Sequence, residues 1–396
     1  ACALVLVSCG DSETPESQSK SITMWHFWSE PGQRDSLRVL LDEFEQKYNC
    51  TVTTSELSWN DGKAKLQAAF SAGNEPDVLE LGSDWVAQFS SAGVLAELPS
   101  DSVNVARFVP FSTVPGRWQG KTFAYPWTID TRVLYVNTAL LGKAGIQGVP
   151  TTLDELKSAA YAIHRSGGNG FGANGADANR LYKKILPFMW TLGGDVLNAD
   201  GYPVVNSESN VKALELYAEL SRTGYIETQR QLDAAFVQGG VGLWNSGSWL
   251  LSKLKAQTVP FAVALMPGQN GSPGFSFAGG EYLAVTARSS RQTLARQLIR
   301  YLTSPEQAVR FCSAVSEAGF PADRSVTHHS SLVRDPQKAM FAKQLLHARM
   351  TPVHPRWLDL QSVLEEAVVQ VLYGNATASE ALNHAQALMV EIVRGS

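Results

Sequence analysis

Apolar and polar positions alternate from residue 22 to residue 26: Ile22, Met24 and His26 fall on one side, Thr23 and Trp25 on the other. A period of two predicts a strand. Pro31-Gly32 breaks it, and beyond the break Leu37, Leu40, Leu41, Phe44 and Tyr48 recur every three or four residues. That is the stripe of a helix with one buried face. The loop between, Trp28-Ser29-Glu30, falls at the carboxyl end of the strand, where open α/β sheets bind ligands. Trp25 and Phe27 read as core. Trp28 fits core and site equally.

The same alternation repeats. A threonine-rich strand at 50–56 leads through Trp59-Asn60-Asp61-Gly62 into a helix with Leu66, Ala69 and Phe70 inward and Gly73 as its stop. A strand at 75–81 leads through Gly82-Ser83-Asp84-Trp85 into a third helix, with Ser83 or Asp84 as its cap. Strand and helix in turn predict an α/β fold around a parallel sheet. Strands follow at 120–127 and 132–137, and the stretch 128–131 between them reads as a crossover into a second lobe. Thr152 and Glu155 form a capping box for the next helix. Helices are expected at 183–192, 211–223 and 250–254, and strands at 238–244, 261–267 and 283–286, the last preceded by Gly279-Gly280-Glu281-Tyr282. From residue 293 the chain is mostly helical in pattern.

Gly170-Phe-Gly172-Ala-Asn-Gly175 spells G-x-G-x-x-G, but it follows a helix. The dinucleotide fingerprint must follow a strand and open a helix, so this run reads as a loop leading to a short strand. A net charge of −4 with no Lys/Arg block gives a polyanion no footprint, which sets nucleic acid aside. The seven histidines are scattered, no CxxC occurs, and no metal or cofactor is expected.

Residues 1–9 are an apolar run ending Leu6-Val-Ser-Cys9. It reads as a signal-peptide remnant (1–8) with a lipobox, Cys9 carrying lipid at the membrane. The polar stretch to residue 21 reads as a disordered tether. An exported compartment would permit a Cys50–Cys312 disulfide, though thiols so far apart in sequence are more often buried and free.

The expected loops share one composition. Trp28-Ser29, Asn60-Asp61, Asp84-Trp85, Trp127 with Asp130 and Arg132, Trp190 with Asp195, and Trp244 through Ser246, Ser248 and Trp249 all set aromatic beside polar groups. Indole faces suit the C–H patches of a pyranose, and carboxylates, hydroxyls and guanidinium suit its ring of hydroxyls. Asp84, Asp130 and Glu281 also raise the alternative of an exported glycoside hydrolase, whose mark is a carboxylate pair. No nucleophile elbow or other catalytic signature accompanies them.

In this order the chain resembles the extracellular solute-binding proteins, family 1, of bacterial ABC importers. The resemblance rests on Ile22…Trp28, Phe44-Glu45, Pro76-Asp77-Val78, Gly120-Lys121…Tyr125-Pro126-Trp127, Leu134-Tyr135-Val136-Asn137, Pro150-Thr151-Thr152, Phe236…Gly239, Gly247-Ser248-Trp249, Met266-Pro267 and Gly279-Gly280. It implies a non-catalytic, monomeric, lipid-anchored protein of the bacterial cell envelope. Such a protein closes two lobes on a mono- to oligosaccharide and hands it to membrane permease subunits. The implied N-lobe is 20–127 with 281–325, and the C-lobe 131–278 with 335–396. Implied ligand positions are Trp28, Ser29, Asp61, Asp84, Asp130, Trp190, Ser246 through Trp249, Gly280 and Glu281. In members that bind glycerol phosphates an Arg near the C-terminus is added, here Arg356. A glycerol-3-phosphate or glycerophosphodiester ligand is the alternative; the carboxylates of the loops oppose it.

Overall fold

A computed structural model describes residues 20–99, 105–178, 180–255 and 257–395. Cys9, and the signal remnant and tether as far as residue 19, lie outside the described residues.

The larger sheet has seven strands. Lys20–His26 lies between Cys50–Glu56 and Val78–Gly82, parallel to both. Ser276–Val285 runs antiparallel between Val78–Gly82 and Ala124–Thr131. Two short strands, Phe320–Pro321 and Ala348–Arg349, add to Ala124–Thr131 and to the start of Ser276–Val285. The α/β architecture is as expected, with a mixed rather than parallel sheet. A smaller three-stranded sheet has Val133–Asn137 at its centre, antiparallel to Leu243–Ser246 and Phe261–Ala264.

Four local expectations are corrected. The first strand opens at Lys20, inside the expected tether. Lys20 and Ser21 pair in register with Cys50 and Thr51, and edge pairing asks nothing of their exposed side chains. Residues 128–131 are not a loop. They extend Ala124–Thr131, because Ser276–Val285 offers them backbone partners as far as Ala278–Thr131. Gly279 and Gly280 stand inside that partner strand rather than before it. A Cβ on Gly280 would sit 2.2 Å from the Thr128 carbonyl oxygen, so only glycine admits this approach. Lastly, neither Ser83 nor Asp84 caps the short helix Val86–Ser91. Trp85 holds the cap position without a side-chain hydrogen bond, and Asp84 faces another partner.

The helices follow the pattern closely. Gln292–Leu302 buries Leu294, Ala295, Leu298, Ile299 and Leu302, a single stripe. Leu153–Arg165 opens on the Thr152–Glu155 capping box. Cys50 and Cys312 are free thiols. Among the described residues, no helix is long and apolar enough to cross a membrane.

The chain passes from the larger sheet to the smaller one over a single residue, Arg132. It returns at Ser276. The two crossings are tied side by side. The Ser276 hydroxyl donates to the Arg132 carbonyl at 2.7 Å, and the Thr131 hydroxyl donates to the Phe277 carbonyl at 2.9 Å.

Candidate functional site

The crossings deliver a cluster of charge to the carboxyl end of the larger sheet. Glu80 comes from Val78–Gly82, a strand buried throughout. Glu281 comes from the neighbouring strand, opposite Gly82. Asp130 ends Ala124–Thr131, and Asp84 follows Val78–Gly82 by two residues. Arg132 stands at the crossing. Tyr182 and Lys183 open the helix Tyr182–Thr191 and face the same ground. Four carboxyls thus meet two cations.

The contacts are specific. Arg132 Nη1 binds Asp130 Oδ2 at 2.6 Å. Its guanidinium lies 5.0 Å from the Trp249 ring centre and 4.9 Å from that of Phe277. The Tyr182 hydroxyl donates to Asp84 Oδ2 at 3.0 Å. The Phe27 N–H donates to Glu80 Oε2 at 3.0 Å, while Glu80 Oε1 and Glu281 Oε2 are buried with no partner.

These surroundings set the protonation. Burial pushes the Glu80 carboxyl up to about 8, against the Phe27 N–H. Glu281 is raised well above the carboxylate range, first by burial, then by the charges of Glu80 and Asp130. Burial lowers Lys183, and the Arg132 charge lowers it further, against the opposing pull of Asp84, Asp130 and Glu281. A group of this kind can accept and donate hydrogen bonds with little reorganisation. Among the described residues no group of three or more His, Cys, Asp or Glu side chains could hold a metal ion.

The structure brings together Asp84, Asp130, Trp249, Gly280 and Glu281 from the expected site residues. Ser246 and Ser248 lie close behind, both buried. The Ser246 hydroxyl binds Asp233 at 2.9 Å and the Ser248 hydroxyl binds the Ser316 carbonyl at 3.3 Å. Asp61 is exposed, held by Ser58 at 2.5 Å and Lys65 at 2.9 Å. Its neighbour Asn60 accepts from Arg180 at 3.1 Å. Arg356 precedes the helix Trp357–Leu372, and its Nε binds Asp359 at 2.5 Å. Lys63 feels both Asp359 and Asp84, which sets this pair near the cluster.

Other expected residues are placed in the core. Trp28 and Trp127 are buried together, with Trp127 stacked on Phe311 at 4.5 Å and Trp28 edge-on to Phe311 at 5.1 Å. Ser29 beside them is exposed. Trp190 is 2% exposed, and its N–H goes to Asp195 at 3.2 Å. That pair sits two turns, roughly 12 Å, along the helix from Tyr182.

Sequence reasoning passed over Glu80, Tyr182, Lys183 and Asp233. Glu80 sits mid-strand, and a lone acid between Leu79 and Leu81 is the signal that was available. Trp59 reads in the sequence only as part of a turn. It is 42% exposed and stacks on Phe27 at 4.0 Å, beside Gly82. It offers the open aromatic face that Trp190 does not.

A family model described as "Bacterial extracellular solute-binding protein" matches residues 29–309. The diacetylchitobiose-binding protein of Streptomyces coelicolor is 24% identical over 352 residues, covering 82% of this chain and 78% of that protein. The GacH receptor of Streptomyces glaucescens, solved unliganded and with acarbose, superposes with a TM-score of 0.84 at 25% identity, over 95% of this chain and 99% of that one. UgpB of Mycobacterium tuberculosis, solved with glycerophosphocholine, superposes with a TM-score of 0.82 at 20% identity, over 95% and 99% of the two chains. The fold is that of the two-lobed binding proteins.

Proposed function

The chain belongs to the bacterial extracellular solute-binding protein family, and from that premise we propose that it captures a neutral mono- to oligosaccharide and delivers it to an ABC importer. One lobe takes 20–127 with 281–325, the other 131–278 with 335–396, and they close on the sugar about the Arg132 and Ser276 crossings. It performs no chemistry on its ligand. It acts as a monomer in the bacterial cell envelope, held at the membrane by lipid on Cys9.

The observation that carries the reading is the cluster of Asp84, Asp130, Arg132, Lys183 and Glu281 at the junction of the two sheets. Hydroxyls accept and donate, and this group offers both roles. Charge-assisted hydrogen bonds are the strong ones. An unmatched hydroxyl in such a site costs about 1–3 kcal/mol, which gives specificity. Trp59 and Trp249 supply the aromatic edges.

A glycerophosphodiester is the second reading, favoured by the likeness to UgpB. The cluster argues against it. Glu80 and Glu281 keep their protons, so Asp84 and Asp130 are balanced by Arg132 and Lys183, and Arg356 is already paired with Asp359. A phosphate would meet no net positive charge in this cluster.

The test is a thermal-shift and calorimetric panel of maltotriose, acarbose, N,N′-diacetylchitobiose and glycerophosphocholine. A ligand at 100 times Kd adds about 2.7 kcal/mol of stability. A sugar should bind with little salt dependence and return intact after overnight incubation. Preference for glycerophosphocholine, weakened by salt and lost in Arg356→Ala, would overturn the neutral-sugar assignment. Cleaved sugar would overturn the non-catalytic one.

A further inference from the structure

Behind Trp249 lies a second buried charge that the acid cluster does not include. Asp233, on the helix Gln229–Val237, is 2% exposed. A carboxylate so buried needs donors, and four side chains supply them. Oδ1 accepts from Trp244 Nε1 at 2.9 Å, Ser246 Oγ at 2.9 Å and Gln229 Nε2 at 3.0 Å. Oδ2 accepts from Trp249 Nε1 at 2.9 Å, with Lys253 Nζ 3.8 Å away on the outer side.

We propose that Asp233 is a positioning residue for ligand capture, fixing the plane of the Trp249 indole and through it the guanidinium of Arg132. The proposal rests on the sugar-capture reading above. Apolar packing alone leaves a ring a choice of rotamers. An N–H aimed at a fixed carboxylate oxygen selects one. Two further contacts need that one orientation. Gly247 lies under the ring, where a Cβ would come within 2.0 Å of Trp249 Cζ3. Arg132 lies over it, between Trp249 and Phe277. Arg132 in turn holds Asp130 and keeps a buried Nε with no partner. The line of contact thus runs from Asp233 through Trp249 and Arg132 into the acid cluster. An amide at 233 breaks it, because an NH2 group facing an indole N–H sets donor against donor.

The test uses the full chain with 15N-labelled tryptophan. Its ten indole N–H resonances report directly on the rings, with Trp244→Phe and Trp249→Phe assigning two of them. Asp233→Asn should move those two and leave the remainder. In calorimetry with whichever of maltotriose, acarbose or N,N′-diacetylchitobiose the wild type binds, Asp233→Asn should lose tenfold or more in affinity, and Asp233→Glu should recover part. Met389→Ala, a core truncation on the helix Ala378–Arg394, should lose comparable Tm yet keep affinity. Unmoved indole resonances overturn the proposal whatever the wild type binds, as does wild-type affinity in Asp233→Asn or a matching loss in Met389→Ala. If Asp233→Asn does not fold, Trp249→3-benzothienylalanine keeps the bicyclic ring and removes the N–H; tenfold weaker binding supports the proposal and unchanged affinity overturns it. A wild type that takes none of the sugars overturns the capture reading instead.

Discussion

Replacing Glu80 by Gln should flatten the dependence of stability on pH above 5. Glu80 is fully buried, with a single hydrogen bond, from the Phe27 N–H to Oε2. Its carboxyl is raised from 4.5 to about 8 by burial. The folded protein therefore keeps a proton that the unfolded chain releases. Stability from this group is fully present below pH 4.5 and is lost as pH rises through 8. At 1.36 kcal/mol per pH unit, the span corresponds to roughly 5 kcal/mol. Glu281 on the next strand titrates with Glu80, so the loss belongs to the pair. Gln copies the protonated acid in shape and still accepts from Phe27. It leaves one amide poorly satisfied, at a cost of about 1–3 kcal/mol. The assay is urea denaturation of wild type and Glu80→Gln at half-unit steps from pH 5 to 9. The wild type should weaken by several kcal/mol, and the variant should weaken less and overtake it between about pH 5 and pH 7, where the loss passes the roughly 1–3 kcal/mol cost of the amide. Parallel curves would refute the reasoning, since they would show that Glu80 carries the same charge folded and unfolded.

Three other outcomes are expected. Tyr182→Phe removes the donor to half-buried Asp84, and calorimetry should show sugar affinity reduced about fivefold, near 1 kcal/mol. Trp190→Ala empties a buried core position, so thermal melts should show a loss of about 3–5 kcal/mol. Unchanged stability there would mean the ring packs less tightly than described. Mass spectrometry of the native N-terminus should find diacylglycerol on Cys9; an unmodified Cys9 removes the anchor from the proposal.

The pattern of apolar residues carried most of the fold. Stripes such as Leu37, Leu40, Leu41 and Phe44 specify helices through local spacing alone. Pairing between distant strands was less legible. Residues 128–131 read as a loop because nothing local announces that 278–281 will lie beside them. The site shows the same limit. Asp84, Asp130 and Glu281 stood out as acids near strand ends. Lys183 and Tyr182 did not, because their relevance depends on where a remote helix docks. Tryptophan misled in the other direction. Trp127 and Trp190 have the composition of a sugar platform, but burial decides their role, and burial is a property of the whole packing.

The passage between sheets over Arg132 alone has a mechanical consequence. Consecutive Cα atoms stand 3.8 Å apart, so no slack exists there for one sheet to slide away from the other. What remains soft is torsion about a few backbone bonds, beside a return strand fastened to the same spot. Relative motion of the two sheets at this spot is then a swing about an axis through Arg132 and Ser276, and in the lobe division proposed above the third passage, 326–334, has to move with it. The leverage grows with distance from that axis: outer rims sweep far while groups beside it barely shift. Asp130 and Arg132 stand on the pivot, so the lobe closure proposed above would leave their contact intact. One extra residue inserted at the pivot would do more than loosen it. Side chains alternate along a strand, so the insertion would turn Val133–Asn137 inside out or tear it from its register.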